Sequence, residues 1–84
     1  MEKIFKFIDE YDKLRFLVEC GKEQIGFNDY INSLPKEKAK MMKEIRQYRS
    51  EVAFSSEKPE ISSDLDKWIE LLQEEIKNLN NKNK

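Results

Sequence analysis

The sequence predicts an all-α domain, a small helical bundle or extended helical hairpin of three long helices and one short one, and three observations carry that prediction. Apolar residues recur at alternating spacings of three and four over three separate stretches, the pattern of helices with one buried face. Only two glycines and two prolines punctuate the 84 residues, too few for the tight turns of a multi-stranded fold. Charged residues make up 39% of the chain and apolar ones 38%, the balance of short amphipathic helices with solvated outer faces. The length allows one domain, near the lower size limit for a core that folds without staples.

Residues 2–20 read as the first helix. Ile4, Phe7 or Ile8, Tyr11, Leu14 and Val18 share one face, with Leu17 beside them. Glu2 with Lys6 and Asp9 with Lys13 are acid-before-base pairs four apart, each contributing a few tenths of a kcal/mol. Phe5 and Phe16 fall off the stripe: they either pack under a loop or neighbouring helix, or form a partner-binding surface. Gly21 follows the last periodic residue, where a left-handed glycine closes a helix.

After a short connection, Phe27–Leu34 (FNDYINSL) predicts two helical turns, ended by the bias of Pro35 against helical geometry at Leu34. Pro35 itself suits the first turn of the third helix, which runs to Phe54. Met41, Ile45, Tyr48 and Val52 are its expected stripe. This helix is the most basic stretch: Lys36, Lys38, Lys40, Lys43, Arg46 and Arg49 stand against Glu37 and Glu44.

Ser55–Ile61 is polar, contains Pro59 and reads as a loop. Ser62 or Ser63 is the expected cap of the last helix, with Asp64 and Asp66 in its positive first turn. Leu65, Ile69, Leu72, Ile76 and Leu79 give the cleanest periodicity in the chain, and Trp68 flanks that seam. The single domain is expected to span residues 1–79, with 80–84 (NNKNK) a disordered polar tail that has nothing to bury. From Glu60 to Glu75 six acidic residues face one base, so the basic third and acidic fourth helices are expected to pair antiparallel.

Chemistry-bearing residues are scarce. There is no histidine, the commonest general base and metal ligand, and only one cysteine, Cys20, which rules out an internal disulfide. A zinc site is not expected, and the acidic residues lack the loop spacing and turn glycine of a calcium site. No glycine loop suited to phosphate is present. No enzyme activity and no cofactor are therefore expected. No stretch nears the roughly 20 apolar residues of a membrane span, and no signal-peptide pattern opens the chain, so a cytoplasmic location is expected. Thirteen lysines against three arginines, with frequent isoleucine and asparagine, are the usage of AT-rich genomes such as those of low-GC bacteria and their phages.

What remains is binding. The expected function is that of a small regulator, inhibitor or adaptor that binds another protein through its helical faces. Phe5, Phe16, Phe54 and Trp68 are the aromatics surplus to one small core, and aromatics are frequent interface anchors. A homodimer is expected as well, seated on the last helix near Trp68. The alternative is a nucleic-acid-binding regulator, with Leu14–Leu34 as helix, turn and short helix and Lys36, Lys40, Lys43 and Arg46 on a basic recognition helix. The net charge of −1 gives no overall attraction to nucleic acid, so only such a local patch would serve.

Overall fold

The computed structural model describes residues 2–21, 24–54 and 63–82, and among these the chain is four helices with no strand. They are α1 (Glu2–Cys20), α2 (Phe27–Ser33), α3 (Lys36–Phe54) and α4 (Leu65–Lys82). The longest axis is 39 Å and the other two are 23 and 21 Å. A helix of 19 residues is itself about 28 Å long. The arrangement is therefore a bundle and not an extended hairpin.

Each boundary has a local cause. At the end of α1 the chain doubles back, and the Ile25 N–H donates to the Val18 carbonyl at 3.2 Å. Gln24, not Gly21, takes the left-handed backbone there, with φ 47°. Gly21 is needed for a different reason: a Cβ at that position would collide with the Leu17 carbonyl oxygen. α2 ends at Leu34, held extended (φ −77°, ψ 157°) as the residue before a proline is. The Pro35 carbonyl accepts from the Ala39 N–H at 2.8 Å, so the proline precedes the first turn of α3. α4 starts after Asp64, whose carbonyl accepts from the Trp68 N–H at 2.9 Å. Ser63 lies outside the helix, while the expected loop at 55–61 and Ser62 lie outside the described residues.

α4 also continues past its expected end at Leu79 to Lys82. Asn80 and Asn81 are exposed and bury nothing, but extending an existing helix costs far less than nucleating one. The rest of the predicted tail, residues 83–84, is outside the described residues.

The core is aromatic. Phe7 stacks near Tyr11, meets Tyr48 edge-on with ring centroids 5.3 Å apart, and lies 6.2 Å from Trp68. Phe27 extends the network between Tyr11 and Tyr30. Six of the nine aromatic residues are thus joined through ring contacts, with Leu14, Ile31, Met42, Ile45, Leu65 and Leu72 filled in around them. Trp68 corrects the sequence reading: expected as a surplus surface aromatic, it is 7% exposed and bridges α4 to α1 and α3. On α3 the buried positions are Met42, Ile45 and Tyr48, with Met41 and Val52 at the edge of the core instead of in its stripe.

The helix pairing differs too. The closest backbone packing is between α1 and α4, not α3 and α4. Lys3 reaches Asp66 at 3.1 Å, start to start, which sets α1 and α4 parallel. α3 runs antiparallel to α4, with Tyr48 against Trp68 at one end and Lys38 against Glu75 at the other. The expected antiparallel orientation of α3 and α4 is present, but their pairing is the lesser one. The reason is energetic: exposed ion pairs contribute little, whereas burial scales with apolar area. α1 and α4 have broader apolar faces than α3.

One buried charge links the layers. Glu75, 6% exposed, accepts from the Tyr30 hydroxyl at 3.2 Å and from the Asn78 amide at 3.2 Å, with the Lys38 ammonium at 3.6 Å. Burial, followed by the Glu75 charge and the hydrogen bond to it, pushes the Tyr30 hydroxyl well above its usual 10.0. Residues of α2, α3 and α4 are thereby tied together at one point.

Candidate binding surface

α1 and α3 do not close on each other as α1 and α4 do, and an open groove of about 860 Å³ lies between them. Its floor is Tyr11, from the core face of α1. Arg15 and Asp12 enter from α1, and Lys43, Arg46 and Arg49 from α3. All three arginines of the chain therefore gather at one site. Their charges act on the Tyr11 hydroxyl, which burial nonetheless pushes above its usual 10.0.

The three guanidinium groups are not equivalent. Arg49 meets Asp12 through two prongs, Nε to Oδ1 at 3.4 Å and Nη2 to Oδ2 at 3.3 Å. Arg15 donates from Nε to Glu19 Oε1 at 3.0 Å, and that hydrogen bond raises its pKa further. Arg46 and Lys43 are exposed and have no carboxylate partner among the described residues. Phe54 stands at the end of the same groove, 88% exposed. The groove continues past Arg15 and Arg46 into a recess at the start of α2 beside Asn28 and Asp29.

A second exposed strip lies on α1. Phe5 and Phe16, 62% and 65% exposed, are eleven residues apart, about three turns, and so point the same way roughly 16 Å apart. Asp9 and Asp12 lie between them on that face. Phe16 also lines a shallower groove against α4, with Leu17 and Ile76. The pair expected between Lys13 and Asp9 is absent; Lys13 lies instead 3.8 Å from Glu10.

The sequence-predicted residues thus fall into three places. Phe5, Phe16 and Phe54 are at the surface, and Trp68 is in the core. Lys36, Lys40, Lys43 and Arg46 are all exposed on α3, but only Lys43 and Arg46 reach the groove. Tyr11 was expected only in the core stripe of α1 and Arg15 was not singled out from the sequence; the scarcity of arginine was visible there, its convergence was not. The α4 stripe on which a homodimer was expected is largely used within one chain, since Leu65, Ile69 and Leu72 are buried. Among the described residues no three Asp, Glu or Cys side chains are placed to hold a metal ion, and no helix is long and apolar enough to cross a membrane. No family model, curated protein or solved structure matches this chain.

Proposed function

We propose that this protein is a non-catalytic binding module of the cytoplasm, a small regulator, inhibitor or adaptor that docks on another protein through the outer faces of α1 and α3. One observation carries the reading: the core closes with six aromatics, and three phenylalanines remain at the surface. Exposed phenylalanine has no solvation advantage, whereas aromatic anchors contribute heavily to interfaces. The free thiol of Cys20 is exposed, which suits a reducing compartment.

The test is capture from the native host after nuclease treatment, comparing the wild type with a Phe5→Ser/Phe16→Ser/Phe54→Ser variant of equal helicity. Recovery of a defined protein by the wild type alone supports the reading. Equal recovery by both, or a signal abolished by nuclease, contradicts it.

A second reading is supported by the exposed Lys36, Lys40, Lys43 and Arg46, whose side chains meet no carboxylate among the described residues. On it, α3 binds nucleic acid. Salt-sensitive, submicromolar binding of duplex or single-stranded probes at about 150 mM salt, abolished by Lys40→Glu with Lys43→Glu, would establish it.

A further inference from the structure

The groove between α1 and α3 has a chemistry of its own. Two of its guanidinium groups already hold carboxylates from within the chain, Asp12 on Arg49 and Glu19 on Arg15. The third, Arg46, and the neighbouring ammonium of Lys43 hold none among the described residues. Guanidinium and carboxylate match as fork to fork, and the fit is directional. The unfilled position is therefore one that an incoming carboxylate completes.

The walls decide what can bring that carboxylate. Asp12 and Glu51 line the groove, and Glu19 and Asp29 line the recess into which it continues. A polyanion with a phosphate at every step would meet these four carboxylates as well as the cations. A peptide with one or two acidic side chains meets Arg46 and Lys43 and leaves the acidic walls alone. Phe54 adds a second requirement. It lies eight residues beyond Arg46 on α3, about 12 Å along the helix. An extended peptide covers that span in three or four residues, at roughly 3.3 Å each.

We infer that this groove is the docking site for an extended acidic segment of a partner protein, carrying one or two carboxylates for Arg46 and Lys43 and a large apolar side chain three or four residues away for Phe54. The assignment rests on the protein-binding reading above and names the chemistry of the partner. Tyr11 forms the floor, and Arg49 and Arg15, already held by their own carboxylates, frame the site.

With only three arginines, the Nε–Hε region of a nitrogen–proton correlation spectrum holds one signal for each, assignable by substitution. The probe is a short glycine–serine peptide carrying Glu-Glu and, three residues on, Leu. The Arg46 signal is expected to move saturably on titration. The same peptide with Gln-Gln is expected to bind about tenfold more weakly, as loss of a charge-assisted pair implies. Phe54→Ser is expected to weaken both peptides several-fold, since both carry the leucine that meets Phe54, and to leave the preference for Glu over Gln intact. Equal effects of the two peptides, an unmoved Arg46 signal, or a larger effect from oligothymidylate at the same concentration each overturn the inference. Arg46→Gln with Lys43→Gln in the host capture separates the two levels: capture that survives there but depends on Phe5 and Phe16 removes the groove and keeps the protein-binding reading.

Discussion

The two sides of α1 show how one helix serves both folding and display. Toward α4 it packs at close range, with Lys3 on Asp66 and Phe7 against Trp68, and its apolar stripe lies in the same core as the buried Leu65 and Leu72 of α4. Toward α3 it presents Asp12 and Arg15 across an open groove, and contact is made by long charged side chains and by the Phe7–Tyr48 ring pair. The first arrangement excludes water and gains from area. The second leaves Lys43 and Arg46 exposed to solvent and Arg49 paired with Asp12. On the proposed reading, stability and binding fall to opposite flanks of the same element, and substitutions on the two flanks should differ sharply in what they change.

The largest effects are expected on the packed side. Trp68→Ala should cost roughly 3–5 kcal/mol and Leu72→Ala roughly 2–5 kcal/mol in urea unfolding, the range for large-to-small changes at buried positions. Arg46→Gln, exposed in the groove, should stay within about 0.5 kcal/mol of the wild type. An effect below about 0.5 kcal/mol for Leu72→Ala would dissolve the contrast.

Smaller effects come from the link at Glu75. Tyr30→Phe removes its hydrogen bond to Glu75 and should cost about 1 kcal/mol at neutral pH. The sign of its pH dependence follows from the raised pKa of Tyr30 in the fold. Below about pH 10 the hydroxyl is protonated in both folded and unfolded chains and adds no slope. Above it the unfolded chain loses the proton first, so stability falls as pH rises. Melting from pH 9 to 11 should therefore show a steeper alkaline decline in the wild type than in Tyr30→Phe. Parallel declines would show that Tyr30 has no part in it.

The smallest stability change is expected in the groove. Asp12→Asn loosens an exposed pair with Arg49 and should cost less than about 1 kcal/mol. It also frees a second guanidinium, so the acidic peptide should bind more tightly to it than to the wild type. Weaker binding would mean that Asp12 positions Arg49 for the ligand instead of competing with it.

Much of the packed side was legible in the sequence, and little of the groove was. The span of α1 and its buried Ile4, Tyr11, Leu14 and Val18 follow from period alone, because a helical face is a local property; period left Phe7 and Ile8 as alternatives, and Phe7 is the buried one. The break at Leu34 follows from Pro35 for the same reason. Pairing is not local. Charge pointed to α3 and α4 as the main partners, and apolar area chose α1 and α4. Trp68 flanks the α4 seam and counts as surplus to one small core in the pattern, and it is core because α4 packs against both α1 and α3. The convergence of Arg15 with Arg46 and Arg49 needs the antiparallel register of α1 and α3, which no spacing within either helix encodes. Phe5 and Phe16 were legible as aromatics off the apolar stripe and Phe54 as one surplus to the core, but the pattern left open whether the first two pack under a neighbour, and the structure shows all three exposed.

The central claim is that six aromatics build the fold and three are free of it. Equilibrium urea unfolding of Phe5→Ser/Phe16→Ser/Phe54→Ser against the wild type tests it most directly. The account predicts stability within about 1 kcal/mol of the wild type and an unchanged slope, as for surface substitutions. A loss of more than about 3 kcal/mol, comparable to that of one buried aromatic, would contradict it and return these phenylalanines to the core.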